Sequence, residues 1–327
     1  MPVTLSPESV LELEAPRAVA ALEAHLRELR TPAFPGGLLM GLSGGIDSAL
    51  LATLVVRALG PEALHVAFLR ERDNESASEV KARRMAEWLD LDLEVENITD
   101  AIRDRGHYSP FIMRLVGLSR FLNRNVVHKL HKIVTGETPF MSTLRQHRFE
   151  GAPVRRFLYG LTGAKVADAF NGRQLYRRQR LEEMAVERKA RLIGAGNRTE
   201  VMTGWFVQDG VDDVPDSPIA GLYKTQVWQL SRHLGLPEDI IDQAPSPDMM
   251  RGITDEVALG LDYARIDFVL DAIDRGRPDE GLLAEGLTQR QVDLVREMHR
   301  LSEWKRNPDH PVPPVDGGIE GGFRVSA

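Results

Sequence analysis

The residues best suited to chemistry stand together at Ser43-Gly44-Gly45-Ile46-Asp47-Ser48, just after the apolar run Leu38-Leu39-Met40 and Gly41. Glycines lack a Cβ, so their backbone N–H groups can approach an anion closely, and a helix starting here would add its positive N-terminal end. Ser43 and Ser48 offer hydroxyl donors to phosphate oxygens, and Asp47 is placed to hold Mg2+ beside them. The segment is not a Walker loop, which needs G-x-x-x-x-G-K-[ST], nor a dinucleotide fingerprint, which needs G-x-G-x-x-G. A glycine turn that merely caps a helix is the alternative. Glu200, Lys224 and Ser246 fit the same chemistry. A metal ion between Asp47 and Glu200, with the Lys224 ammonium, would offset charge on a departing pyrophosphate, and Ser246 could hydrogen-bond a phosphate oxygen. Each has a plain alternative: Glu200 could pair with an arginine, Lys224 could be an exposed lysine near a helix start, and Ser246 a turn hydroxyl.

These residues need a scaffold that brings them together, and the hydrophobic pattern supplies one. Residues 6–30 predict an amphipathic helix opened by Ser6-Pro7-Glu8. Strands follow at Leu38–Met40, Ala63–Leu69 and Leu91–Ile98, alternating with helices at Ser48–Leu59 and Ser76–Leu89. That alternation predicts an α/β fold with a doubly wound parallel sheet. It stops at 105–170, a basic, helix-prone stretch broken by Pro110, Gly117, Gly136, Pro139 and Pro153, and read as a helical insertion within a single domain spanning 1–327. It resumes with a helix over Gln174–Lys189, a strand at Ala190–Gly194 and a helix at Leu222–Leu234. Residues 307–327, rich in Pro and Gly, read as an extended tail.

Composition narrows the function classes. The 327 residues include no cysteine, which excludes thiolate zinc sites, cysteine nucleophiles and a cysteine-dependent glutaminase within the sequence. No apolar run is long enough to span a bilayer, and the first residues lack the regions of a signal peptide, so a cytoplasmic location is expected. The net charge of −7 is uneven, with 19 Lys/Arg against 7 Asp/Glu between Arg103 and Arg191. Such a segment could face a phosphate-bearing partner or nucleic acid, or be a solvated basic face. His128 and His131 stand i, i+3 apart there, but without a nearby acidic third ligand a solvated or nucleic-acid-facing helix is the better reading.

The hexapeptide resembles the pyrophosphate loop of the PP-loop ATP pyrophosphatases, and three further stretches resemble the NAD synthetase family within them. Leu192-Ile193-Gly194-Ala195-Gly196-Asn197-Arg198-Thr199-Glu200 with Thr203-Gly204-Trp205-Phe206 is similar to the family's GTGN-x-x-E and T-G-aromatic-F. Pro218–Gln226 is similar to its P-x-x-x-L-x-K-T/R-Q. Ala244-Pro245-Ser246-Pro247-Asp248, Thr254-Asp255-Glu256 and Leu259-Gly260-Leu261-Asp262-Tyr263 are similar to its P-[ST]-A-D, T-D-E and L-G-[ILV]-x-Y. The resemblance covers about 6–100 and 170–306. It implies an adenine nucleotide α-hydrolase-like fold and an enzyme that uses ATP and Mg2+ to adenylate a carboxylate, then amidates it with ammonia. Nicotinic acid adenine dinucleotide, converted to NAD, is the favoured acceptor. It further implies Gly41, Ser43, Gly44, Gly45, Asp47, Ser48, Phe68, Lys224 and Ser246 around ATP, and Asp47 and Glu200 around the metal. Asp47, Lys224 and Glu200 are its catalytic set, and Asp212, Asp213 and Arg173 its acceptor set. A homodimer follows from the same resemblance, with free ammonia or a separate glutaminase as nitrogen source.

Four departures fall on the acceptor side. Gly210–Pro215 reads GVDDVP where the family has a stretch of the type G-D-G-G-A-D, so Asp212, Asp213 and Asp216 are out of register. Ala195 replaces the threonine of GTGN, Trp304 replaces the histidine of an H-K-R at Trp304-Lys305-Arg306, and the 105–170 segment has no counterpart. A paralogue acting on a different small carboxylate is therefore an alternative. An RNA-modifying enzyme is a third reading, against which stands the acidic pI of 5.8, and a nucleotide-binding regulator without turnover is a fourth.

Overall fold

The computed structural model describes residues 11–109, 131, 133, 136–145, 164–247, 253–306 and 310–313. Helix α1 runs over Ala15–Leu29, β1 over Leu38–Gly41, α2 over Ile46–Leu59, β2 over Leu64–Arg70, α3 over Ser76–Trp88, β3 over Leu93–Asn97 and α4 over Thr99–Asp104. Then come α5 (Pro139–Arg145), α6 (Ala164–Arg188), β4 (Arg191–Leu192), α7 (Arg198–Thr203), α8 (Lys224–His233), α9 (Glu238–Ile241), α10 (Asp255–Leu259), α11 (Tyr263–Asp274), α12 (Asp279–Ala284) and α13 (Gln289–Leu301). The four strands form one parallel sheet in the order β3-β2-β1-β4. Chain order thus reverses between β1 and β4, and the crevice beyond their carboxyl ends is where such sheets bind ligands.

Both faces of the sheet are covered, as an all-parallel sheet requires. Strand alternation sends Leu38, Met40, Val66 and Phe68 into the main core, with Leu22 and Leu26 of α1 and Leu50 and Leu54 of α2. Leu39, Ala67 and Leu69 point the other way, onto Leu181, Met184 and Ala185 of α6.

The first helix departs from expectation: it begins at Ala15, not at residue 6, and Leu11–Glu14 are not helical. The reason is Pro16, which the first turn accommodates but which would remove a hydrogen bond and clash with the preceding turn in a helix interior. Ser6-Pro7-Glu8 lies outside the described residues. The expected strand at Ala190–Gly194 is only Arg191–Leu192: Ile193 N–H still donates to Leu39 O of β1 at 2.9 Å, but Gly194 N–H leaves the sheet for Asp216 O at 2.9 Å. Within the expected insertion 105–170, α5 places Phe140, Met141 and Leu144 in the main core, and α6 already starts at Ala164. His128 and most of that segment are outside the described residues. His131 shares a hydrogen bond of 3.0 Å with Ser142 Oγ. Of the expected tail, His310 Nδ1 lies 3.2 Å from Asp213 Oδ1.

Candidate active site

The glycine loop leaves the end of β1 and enters α2 directly. Gly44 has φ +80°, and a Cβ there would come within 2.3 Å of Ser78 O at the start of α3, so only glycine fits. The two serines brace the turn. Ser48 Oγ accepts from Ser43 N–H at 3.2 Å and donates to Gly45 O at 3.0 Å, the two hydroxyls are 3.0 Å apart, and Ser43 Oγ accepts from Gly45 N–H at 3.2 Å. Gly41 closes β1, where an added Cβ would merely touch Leu181 at 3.4 Å. Phe68, expected near ATP, is buried in the core on the α2 side of the sheet.

Asp47 is the centre of the polar site. One oxygen pairs with the Lys224 ammonium, and the other accepts Asn197 Nδ2 at 2.9 Å. Three segments far apart in sequence therefore meet on one carboxylate: the start of α2, the start of α7 and the start of α8. Asn197 also caps α7, its Oδ1 accepting Glu200 N–H at 3.0 Å while Glu200 Oε2 accepts Asn197 N–H at 3.2 Å. This reciprocal pair is a capping box, and it uses one Glu200 oxygen locally. Lys224 is only 2% exposed and lies 5.6 Å from the centre of the Tyr263 ring. The Tyr263 hydroxyl donates to Asp255 Oδ2 at 2.8 Å.

Electrostatics mark the same place. Burial, reinforced by the charge of Asp47 and opposed by Lys224, holds the Glu200 carboxyl well above the usual carboxylate range. Burial likewise raises Asp255. Burial alone would favour a neutral Lys224, yet Asp47, Glu200 and Asp255 hold its ammonium above the ordinary lysine value. Among the described residues Lys224 thus faces three carboxyl groups, and a divalent cation there would favour their ionised forms. Among the described residues no three such side chains converge as ligands on one point. Mg2+ held by Asp47 and Glu200 would complete its shell with phosphate oxygens and water, its usual habit, and the hard oxygen donors fit.

The expected acceptor residues are placed differently. Asp212 is half-buried, with Gln174 Nε2 3.4 Å from its Oδ2. Burial, opposed by Arg177 and aided by Asp47 and Asp255, pushes it up to about 6, so it shares the field of the site. Asp213 instead accepts Asp209 N–H at 2.8 Å. Arg173 is fully buried, paired with Glu71 and 3.4 Å from Asp73, behind the end of β2. Gly196 and Gly194 let the 210–217 loop press against the end of β4: a Cβ on Gly196 would meet Asp212 O at 2.6 Å. Ser246 is half-buried in the 244–247 segment, whose Pro245 O accepts Asp255 N–H at 2.9 Å.

Sequence reasoning passed over Asn197, Asp255 and Lys81. Asn197 was signalled by the N-x-x-E capping pattern. Lys81 of α3 flanks Gly44 and donates to Gln243 Oε1 at 2.6 Å, joining the loop to the 244–247 segment, and no motif marked it. Two departures also meet in space. The Trp304 indole N–H donates to Leu144 O of α5 at 3.4 Å, and Phe140 of α5 packs edge-on against Trp205 at 4.7 Å.

A sequence profile described as NAD synthase matches residues 18–110 and 162–309, leaving 111–161 outside. An NH(3)-dependent NAD(+) synthetase of Thermotoga maritima is 33% identical over 276 residues, covering 84% of this chain and 92% of that protein. One from Rhizobium meliloti is 32% identical, covering 86% and 85%. Among solved structures, the NH3-dependent NAD synthetase of Campylobacter jejuni superposes with a TM-score of 0.60 at 20% identity, covering 90% of this chain and 96% of that one. The NMN synthetase of Francisella tularensis gives 0.59 at 21%, covering 93% and 97%. These two likenesses speak to the α/β fold. With the profile matching most of its length and relatives above 30% identity aligned over most of theirs, the chain belongs to the NAD synthase family.

Proposed function

We propose that this chain is an ATP-dependent amide ligase that adenylates a carboxylate, most simply that of nicotinic acid adenine dinucleotide, and amidates it with ammonia to give NAD. The observation that carries this is Asp47, held between the Lys224 ammonium and Asn197 at the exit of the glycine loop. Phosphates seated at the loop would lie beside the buried Lys224 ammonium and the Asp47 and Glu200 carboxyls. A carboxylate oxygen attacks the α-phosphorus and pyrophosphate leaves, and Lys224 offsets the charge that builds on the departing oxygens. Ammonia then attacks the acyl carbon, and AMP leaves as the amide forms. Asp47 and Glu200 would hold Mg2+, which would supply charge neutralisation to the phosphates. Ser43, Gly44, Gly45, Ser48 and Ser246 hold phosphate in this reading, and Asp212 faces the acceptor. Arg173 supports that side by fixing α6, not by touching substrate, and Phe68 acts through the core behind the loop. The same reading includes a homodimer, a cytoplasmic location, and free ammonia or a separate glutaminase as nitrogen source.

The test is product analysis with ATP, Mg2+, ammonium and nicotinic acid adenine dinucleotide. NAD, AMP and pyrophosphate in equal amounts support the reading in full. Pyrophosphate release only with another carboxylate in the panel keeps the chemistry and overturns the acceptor. The altered GVDDVP loop is the reason to run that panel.

A further inference from the structure

We infer that Asp267 is a positioning residue for the reaction proposed above, its buried carboxylate tying the first turns of α7 and α8 together so that Glu200 and Lys224 are presented to Asp47 in fixed geometry. Asp267 lies on α11 and is 0% exposed. Its Oδ1 accepts the Thr199 hydroxyl at 2.5 Å, and its Oδ2 accepts Thr225 N–H at 2.8 Å. Thr199 Oγ1 in turn accepts Lys224 N–H at 2.8 Å. The first N–H groups of a helix have no partner within it. Here the two that open α8 are satisfied by Thr199 from α7 and Asp267 from α11. Each clamped threonine is the immediate neighbour of a charged site residue, Thr199 of Glu200 and Thr225 of Lys224. The backbone bond from Arg198 N–H to Leu222 O at 2.8 Å closes the same junction.

A carboxylate suits this place because it only accepts and has two oxygens for two donors. Negative charge also suits the start of α8. Stability alone is a weak reason to keep it, since buried charges are often replaced by apolar groups at little cost. Burial pushes the Asp267 carboxyl up to about 6 despite the bonds from Thr199 and Thr225. What an apolar residue could not do is hold two helix starts in register. The sequence signal is faint, because Thr199 and Asp267 are 68 positions apart.

The experiment compares Thr199→Val, which keeps the shape and removes the hydroxyl, with Thr199→Ser, which restores it, in the full chain. Misplaced catalytic groups cost rate, so Thr199→Val is expected to lower kcat by about 10- to 100-fold. ATP affinity by calorimetry should fall much less than kcat, because the glycine loop itself is untouched, and Thr199→Ser should recover to within about threefold of the parent kcat. Asp267→Asn carries the same expectation if Thr199→Val folds poorly. Parental kcat in Thr199→Val, or a Thr199→Ser as impaired as Thr199→Val, overturns the inference. A parent chain that releases no pyrophosphate with any acceptor overturns the functional reading itself, and this inference with it.

Discussion

Replacing Lys224 with methionine keeps the length of the side chain and removes the ammonium that answers Asp47, Glu200 and Asp255. The ammonium is buried and the Asp47 side chain is 18% exposed, so the variant leaves carboxylates partly desolvated and unpaired. Removing one partner of a buried pair costs about 3–5 kcal/mol, and the Asn197 bond that Asp47 keeps puts this site at the lower end, about 3 kcal/mol. For a chain of 327 residues that is a fall in Tm of about 4 °C. The pH dependence is the sharper test. Glu200 and Asp255 already sit above their ordinary values, and losing Lys224 raises them further. A carboxyl whose folded pKa is raised contributes stability that is present at low pH and lost as pH rises through the raised value. The Tm gap between parent and Lys224→Met should therefore be small near pH 5 and widen toward pH 8. Mg2+ without nucleotide should recover more Tm in the variant than in the parent, because it answers the same carboxylates. Melting curves at the two pH values, with and without Mg2+, measure all of this. A gap that is constant or narrows toward pH 8 would show that Lys224 is not what balances these carboxylates.

Gly44→Ala should leave the secondary structure intact by circular dichroism and weaken ATP binding by at least tenfold. The residue sits at φ +80° and its new Cβ would collide with Ser78 O, so the left-handed turn, which costs about 1–2 kcal/mol in a residue with a Cβ, must also shift. Unchanged ATP affinity by calorimetry would refute the loop as the phosphate cradle. His299 gives an acid-side prediction. Burial, with Arg306 and Arg296, lowers it from 6.5 to about 4. Its depressed folded value means stability present above pH 6.5 is lost as pH falls toward 4. With solvent reaching part of the ring, the loss is about 2 kcal/mol. His299→Gln should flatten the Tm profile over that window relative to the parent, and an unchanged slope would remove His299 as its source.

How much of this was legible in the sequence follows from how far apart the cooperating residues lie. The phosphate loop is contiguous, and its demands are local: glycine where φ is positive, hydroxyls that brace the turn, and an acid at the helix start. Six adjacent letters carry all of it. The sheet was legible for a similar reason, since each strand and crossover announces itself within about a dozen residues. The pairing of Asp47 with Lys224 spans 177 positions and that with Asn197 spans 150, so the sequence could offer the partners but not the bond. Arg173 shows the opposite case. The family resemblance marked it for substrate, whereas the fold pairs it with Glu71, 102 positions away, inside the body. The departures from the family pattern are harder still: Gly196 admits the 210–217 loop, Trp304 meets Leu144, and Phe140 stands against Trp205. Leu144 and Phe140 come from a segment that the family profile does not match. The substituted tryptophan and the unmatched segment touch each other, which their separation of 160 positions hides in the sequence. The glycine loop keeps the family's letters, while Trp304 and the unmatched segment meet through contacts between distant positions that no local pattern records.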